Sequence, residues 1–232
     1  MAFLYSPKIV TDGLIFAVDA ANKKSYPGSG TTWTDLIGGN NGTLTNGPTF
    51  DSGNGGSIVF DGSDDYVEFS NTNILNTSNP FTISFWVNMI TMPNSITSPI
   101  VIKTNANDFL ILISARSGYV GIAIGSGLTW AQGRTETSSD FFINKWVNVC
   151  ITYNGNAAGT LSNFQIFENN NNRSITSGTS GLLSQSTQTR IGYINSGNTL
   201  NGKIAKFMIY NKALSSTEIT QNYNALKSRF GL

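Results

Sequence analysis

The chain has 232 residues, a formal net charge of +1 and only 12% charged side chains, with no histidine and one cysteine, Cys150. These numbers exclude histidine-dependent catalysis, zinc–histidine sites and an internal disulfide. No basic run marks a nucleic-acid binder, and no apolar stretch approaches the roughly 20 residues that span a bilayer. The first residues lack a signal-peptide pattern, so we expect folding in the cytoplasm.

Short apolar or alternating segments recur along the chain, separated by Gly, Asn and Ser turns, and each is typical of a β-strand. The predicted strands are 14–19, 57–60, 66–69, 81–88, 100–103, 109–114, 119–124, 145–153, 164–168, 189–192 and 203–210. So many short strands with no alternating helices indicate an antiparallel sandwich in one domain.

Two strands alternate clearly enough to assign their faces. In 81–88 the predicted core face is Phe81, Ile83, Phe85 and Val87, and in 145–153 it is Val147, Val149, Ile151 and Tyr153. Cys150 lies among apolar positions, and with no histidine to activate it we expect an inert buried thiol.

One helix is predicted at the end of the chain, over residues 216–228. Ser215 and Glu218 have the spacing of a capping box, in which each residue bonds the backbone N–H of the other. Ile219, Tyr223 and Leu226 follow at helical spacing.

Asp61, Asp64 and Asp65 are the densest acidic cluster, between two predicted strands. Hard cations prefer carboxylate and carbonyl oxygens, so one interpretation is a calcium site. The other is a tight Asp-Gly turn whose carboxylates bond nearby backbone N–H groups. We predict no metal site and no cofactor, and leave calcium as the one open alternative.

Five segments, taken in order, resemble the LamG-like, concanavalin A-type jelly rolls: DGLIFAVDAANKKSYPGSGTTWTDL, GSIVFDGSDDYVEF, NPFTISFWVN, NKWVNVCITYNG and TRIGYINSGNTLNGKIAKFMIYNKALSSTEI. The SYPGSG and W-x-D-L opening and the QNYNALKSRFGL ending are similar to LamG-domain proteins of tailed bacteriophages. The resemblance implies an all-β, antiparallel jelly-roll β-sandwich with a short C-terminal helix. We assign residues 13–232 to this domain and residues 1–12 to an N-terminal segment that could serve as an attachment arm.

Distant relatives implied by the resemblance include glycoside hydrolases, whose active strand carries alternating acidic residues such as E-x-D-x-E. No strand of this chain has that alternation. Because glycoside hydrolysis needs a pair of closely placed carboxylates, we expect a protein that is not an enzyme.

The resemblance places family ligands on the rim of the sandwich, and two polar segments are predicted to reach it. Amides, a carboxylate and an aromatic ring suit a shallow sugar site, although Asn and Asp also build turns. Trp130 is added as an exposed contact residue, with burial as its alternative. The predicted ligand-binding residues are Lys103, Asn105, Asn107, Asp108, Trp130, Tyr193, Asn195 and Asn198.

Two functions follow from these expectations. The first is a structural protein of a bacteriophage virion, in a capsid decoration, fibre or tail, present in many copies or as a homo-oligomer and bound to other virion proteins. The alternative is a lectin-like module that binds polysaccharide on a host surface. Neither function involves nucleic acid or a membrane.

Overall fold

The computed structural model describes residues 7–69, 79–91, 98–101, 108–114, 119–126, 129–135, 143–155, 161–177, 189–195 and 198–232. Within them, nineteen strands are arranged almost entirely in two large sheets. The strands are β1 Leu14–Asp19, β2 Thr32–Trp33, β3 Gly42–Thr45, β4 Thr49–Asp51, β5 Ser57–Asp61, β6 Tyr66–Phe69, β7 Phe81–Met89, β8 Ser98–Val101, β9 Asp108–Ser114, β10 Tyr119–Ser126, β11 Thr129–Thr135, β12 Trp146–Tyr153, β13 Phe164–Glu168, β14 Asn171–Arg173, β15 Ile175–Ser177, β16 Thr189–Ile191, β17 Tyr193–Asn195, β18 Asn198–Thr199 and β19 Asn201–Tyr210.

One α-helix, α1 Ser216–Leu226, follows the last strand, and a 3₁₀ turn, Lys227–Phe230, continues it. The predicted capping box is confirmed: Glu218 N–H donates to Ser215 Oγ, and Ser215 N–H donates to Glu218 Oε2. Two further 3₁₀ turns are Gly53–Gly55 and Leu161–Asn163. Among the described residues, no helix has the length and apolar character needed to cross a membrane.

The first sheet has the order β14-β13-β12-β7-β19-β5-β4, with β1 also paired to β19. The second has the order β15-β11-β10-β9-β8-β16-β6-β3-β2, and β17 and β18 form a separate pair. Every pairing between these strands is antiparallel. The predicted antiparallel jelly-roll sandwich is therefore confirmed.

The main core lies between the two sheets. Both predicted core faces are confirmed, because the alternating residues of β7 and β12 are buried in one cluster that also includes Val67, Phe69 and Ile191 of the second sheet. The members from β7 and β12 are Phe81, Ile83, Phe85, Val87, Val147, Val149, Ile151 and Tyr153.

The outer face of the first sheet is covered by the end of the chain. Trp86 points away from the main core and stacks on Phe230, with ring centroids 4.1 Å apart, and on Tyr223 at 5.9 Å. Ile219 is buried in a neighbouring cluster on the same face. This coverage explains why β7 is buried on both faces.

Residues just before β1 pack under α1. The N–H of Val10 donates to Asn222 Oδ1 at 2.8 Å, and the Tyr210 hydroxyl donates to the Val10 carbonyl at 3.1 Å. Val10 is only 7% exposed, and Ile9 packs beside it. These two apolar residues are thus packed within their own domain, while residues 1–6 of the predicted arm lie outside the described residues.

Candidate functional site

The strand register divides the second sheet into a core face and an outer face. Ile191 is fully buried in the main core, and its register partner is Ile100, which in turn is paired with Ile111. Because successive residues of a strand alternate between faces, Asp108, three residues before Ile111, belongs to the outer face.

Two of the predicted ligand residues occupy one register level on that outer face. Gly125 of β10 is paired with Asp108 of β9 on one side and with Trp130 of β11 on the other. Directly opposed residues share a face, and glycine has no side chain. The backbone positions of Asp108 and Trp130 therefore lie at one register level, on the two strands that flank Gly125.

Arg190 is a polar residue of the same outer face that the sequence analysis missed. Its guanidinium carbon lies 4.2 Å from the centroid of the Tyr66 ring, and its Nη2 lies 3.3 Å from Glu68 Oε2. The Arg190 Nε is buried and has no hydrogen-bond partner among the described residues. The only sequence signal was alternation, since Arg190, Tyr66 and Glu68 alternate with buried Ile191, Val67 and Phe69.

The two predicted halves of the rim are not brought together. β8 and β16 are antiparallel neighbours, so the segments that follow them leave at opposite ends. Asp108 lies beyond the Val101 end of β8, whereas Tyr193 follows β16 towards the Ser98 end. The expectation of one shared rim is corrected here, because the segments that follow two neighbouring strands leave at the same end of the sheet only when the strands are parallel.

The other predicted ligand-binding residues lie either in the β17–β18 pair or outside the described residues. Asn195 and Asn198 are register partners in the β17–β18 pair, and Tyr193 is paired with Thr199. Lys103, Asn105 and Asn107 lie outside the described residues.

The cluster of Asp61, Asp64 and Asp65 forms a turn, residues 61–65, which we call the acidic turn; it joins β5 of the first sheet to β6 of the second. The Asp61 carboxylate accepts from Ser63 N–H at 2.7 Å, and Asp65 Oδ2 accepts from Asp61 N–H at 3.0 Å. One carboxylate oxygen from each aspartate lies within 4.8 Å of the other two. The predicted Asp-Gly turn is thus present, and its carboxylates also converge.

Asp65 is the unusual member of the acidic turn. It is 4% exposed, and its Oδ1 is buried without a hydrogen-bond partner in the part of the chain that the structure describes. Burial raises the pKa of the Asp65 carboxyl, and the nearby charges of Asp61 and Asp64 raise it further, against the opposing effect of the Asp61 N–H bond.

Cys150 is poorly suited to act as a nucleophile. Its thiol is buried on the outer side of the first sheet, and burial raises its pKa to about 12. The reactive species is the thiolate, which this environment suppresses at neutral pH.

A shallow groove of about 370 Å³ lies beside the end of the chain, lined by Asn144, Lys145, Trp146, Val147, Asn169, Phe230 and Leu232. Its aromatic rings are already used internally. Trp146 donates its indole N–H to Asn54 Oδ1 and packs on Phe230, which is only 6% exposed. The groove therefore offers less aromatic surface for stacking on a sugar than its composition suggests.

Two antiparallel sheets packed face to face, with a helix after the last strand, define the class of concanavalin A-like jelly rolls. The chain belongs to the concanavalin A-like lectin/glucanases superfamily, since the Laminin_G_3 family model matches residues 61–220. No curated protein sequence matches the chain.

Several solved structures are similar to the chain. Domain 4 of AbnA, an extracellular GH43 arabinanase from Geobacillus stearothermophilus, was solved with arabinotriose; its TM-score is 0.64 at 16% identity, covering 90% of this chain and 98% of that one. The binding domain of botulinum neurotoxin DC with rat synaptotagmin II has a TM-score of 0.66 at 18% identity, covering 92% and 52%. The same toxin domain with SialylT has a TM-score of 0.62 at 18% identity, covering 93% and 52%.

These likenesses show the fold. The chain spans about half the length of the neurotoxin binding domains it matches, and nearly the whole of the arabinanase domain.

Proposed function

We propose that the chain is a lectin-like carbohydrate-binding module and that the outer face of the second sheet contacts the glycan. The observation that carries this proposal is the position of Arg190, stacked on Tyr66 and bonded to Glu68, on the same face as Asp108 and Trp130. Guanidinium and carboxylate groups bond sugar hydroxyls, and aromatic rings pack against the apolar faces of sugars.

Arg190 is a partly exposed donor. A guanidinium carries five N–H donors; the Arg190 side chain is 18% exposed, with Nη2 bonded to Glu68 and the buried Nε out of reach of a ligand. The stacking on Tyr66 fixes the plane of the guanidinium group, so little side-chain conformational entropy remains to be lost when a ligand binds. A pre-ordered, partly exposed donor on the outer face of β16 is suited to sugar hydroxyls or to an acidic sugar.

The relatives support the same function. A domain of nearly equal length was solved with arabinotriose, and a longer one with SialylT. Both are similar to this chain at 16–18% identity, so the sugar bound here is a matter for experiment.

The test is a glycan array with the purified chain, including arabinotriose and SialylT, followed by calorimetric titration of the best ligand. We expect Arg190→Gln and Trp130→Ala each to weaken binding about tenfold or more, the loss typical of one charged hydrogen bond or stacked ring. Lys203→Gln is the matched control, because Lys203 is likewise ion-paired and partly exposed but lies in the first sheet. Unchanged affinity in both variants would reject this face.

The separated halves of the predicted rim give a second comparison. Lys103, Asn105 and Asn107 precede Asp108 in the sequence, whereas Asn195 and Asn198 belong to the opposite end of β8. We expect Asn105→Ala to weaken binding and Asn195→Ala to leave it unchanged. The reverse result would move the site to the β17–β18 pair.

The second proposal is a virion-surface role in a bacteriophage, with many copies bound to other virion proteins. It is favoured by the resemblance of the opening and ending segments to phage proteins. Multiple copies would also turn weak single sites into strong overall attachment by raising the effective concentration. Mass spectrometry of purified virions tests this role, and absence of the chain from the particles would reject it.

A further inference from the structure

The ion pair between Glu68 and Arg190 lies on four neighbouring strands that carry no other charge. Arg190 of β16 is the register partner of Glu68 of β6, and both side chains are partly exposed, 18% for Arg190 and 32% for Glu68. Among the residues of β16, β6, β3 and β2, these two are the only charged ones. One positive and one negative group cancel, so this part of the outer face has no net charge.

This balance of charge disfavours an acidic sugar. A ligand carboxylate bound by Arg190 would lie close to Glu68, because Arg190 Nη2 is 3.3 Å from Glu68 Oε2. Two negative charges that are close together and partly buried repel each other, since water screens them less than it screens fully exposed charges. Recognition of an anion also favours an excess of positive charge, which these four strands lack.

A neutral sugar suits both members of the pair. A carboxylate accepts hydrogen bonds and a guanidinium donates them, whereas a hydroxyl does both. The N···O distance of 3.3 Å is longer than the range of about 2.7–2.9 Å that is typical of charged hydrogen bonds. Glu68 and Arg190 therefore gain from additional partners. Of two adjacent hydroxyls on a sugar ring, one can donate to Glu68 while the other accepts from Arg190.

Two threonines continue the same register level across the sheet. Thr43 of β3 is the partner of Glu68, and Thr32 of β2 is the partner of Thr43. Both threonines are exposed, whereas the residues that follow them, Trp33 and Leu44, are buried in the main core.

Directly opposed residues share a face of the sheet, so four polar side chains form one row on the outer face. We call it the outer row: Thr32, Thr43, Glu68 and Arg190. Three strand spacings of about 4.8 Å make it about 14 Å long, which is longer than a single sugar ring and suits a short chain of sugars.

We propose that Glu68 and Arg190 bind two adjacent hydroxyls of a neutral glycan, and that the glycan continues along the outer row towards Thr43 and Thr32. This inference rests on the proposed function, to which it adds the class of glycan and the direction in which the glycan lies. The threonine hydroxyls both donate and accept hydrogen bonds, as the hydroxyls of a sugar do. The glycan therefore crosses the strands instead of following one of them.

The test begins with a glycan array that carries arabinotriose and galactotriose as neutral probes, and trigalacturonic acid and SialylT as acidic probes. We expect the purified full chain to bind a neutral probe. The tightest neutral probe is then titrated by calorimetry at low and at high salt, and its affinity should not depend on salt, because screening acts between charges. Binding confined to the acidic probes would overturn the inference and leave a lectin function standing.

Glu68→Gln separates the two classes of glycan. It replaces a charged acceptor with a neutral one of similar size, so we expect the affinity for the neutral probe to fall about fivefold. For an acidic sugar the same change would remove a repulsion and raise the affinity. A rise in affinity, or no change where Arg190→Gln weakens binding, would overturn the inference alone. If no glycan binds, or if Arg190→Gln and Trp130→Ala both leave binding unchanged, the proposed function fails and this inference fails with it.

Thr43→Val tests the direction of the glycan. The change keeps nearly the same shape and removes one hydroxyl, so the affinity for the neutral trisaccharide should fall about fivefold, the loss typical of one neutral hydrogen bond. Thr45→Val is the matched control, since Thr45 lies on the same strand and face but is paired with Tyr66, at the next register level of that face. The control should keep the affinity of the wild type. Equal affinities in the two variants would show that the glycan does not follow the outer row.

Discussion

Asp19 of the first sheet is a buried charged residue, 8% exposed, that accepts from Lys206 Nζ at 3.0 Å and from Arg229 Nη1 at 2.8 Å. Arg229 also donates to the carbonyls of Asn54 and Gly56. This network fastens the 3₁₀ turn at the end of the chain to β1 and β19. Burial favours the neutral acid, but Lys206 and Arg229 outweigh it, so the pKa of Asp19 is lowered.

Lys206→Met should therefore destabilise the domain by about 3 kcal/mol, because it leaves a buried charge with one partner instead of two. The measurement is urea unfolding at pH 7. Lys203→Met is the control on the same strand, since its pair with Asp51 is partly exposed and should be worth less than about 1 kcal/mol. Equal losses in the two variants would contradict the central role of Asp19.

The same network predicts a pH dependence of stability. A carboxylate with a lowered folded-state pKa contributes stability above its unfolded pKa of about 3.9, and the contribution is lost as pH falls through the folded value. The free energy of unfolding should thus fall below about pH 4, with a shallower fall in Lys206→Met. A variant with the same acid slope as the wild type would show that Lys206 does not set the pKa of Asp19.

Asp35 shows how a sequence motif can be structural. Within the W-x-D-L segment, its carboxylate accepts from the backbone N–H groups of Ala17, Ile37, Gly38 and Asn40, and Trp33 is fully buried. The motif lies in one of the segments that carry the resemblance to LamG-like jelly rolls. Its physical role, ordering a loop against β1, depends on contacts distant in sequence and could only be seen in the structure.

At the scale of elements, strands with apolar alternation could be predicted and polar ones could not. The predicted 14–19, 66–69 and 164–168 agree with β1, β6 and β13 to the residue. β3, with sequence GTLT, and β14, with NNR, were missed. Short edge or near-edge strands bury few side chains, so their partners, and not their composition, determine them.

The candidate site, too, could be predicted only in part from the sequence. Trp130 and Asp108 could be proposed from residue type, but their common register level with Gly125 depends on three strands pairing correctly. Arg190 was missed because its ring partner, Tyr66, is more than a hundred residues away in sequence. The strand register decides which polar residues become neighbours, and it cannot be read from a single sequence.

The assignment of the core faces gives a sharp prediction on one pair of strands. Ile151→Asp should unfold the domain at room temperature or cost more than about 4 kcal/mol, because Ile151 is fully buried and an unpaired charge would replace it. Gln165→Asp on the neighbouring β13 is the control, since Gln165 is exposed and should tolerate the change. Thermal unfolding followed by circular dichroism distinguishes them. An unchanged melting temperature for Ile151→Asp would mean that the faces are inverted.

At the scale of the whole molecule, we expect binding without hydrolysis. No histidine is available, and the sequence has no strand with alternating carboxylates. Incubation of the pure protein with polysaccharides, including arabinan, should release no reducing sugar above the level of a heat-treated control. Release that disappears in a single Asp→Asn or Glu→Gln variant would show that the chain is an enzyme.

β19, the last strand in the sequence, lies in the interior of the first sheet, where it is paired with β7, β5 and β1. During translation, those three strands are synthesised long before their common neighbour. Their edges therefore stay unpaired until β19 has been made. Such edges invite wrong pairing between nascent chains. Production of this protein should therefore be sensitive to chaperone supply and to the speed at which β19 is translated, and termination before β19 should yield insoluble fragments rather than a smaller folded domain.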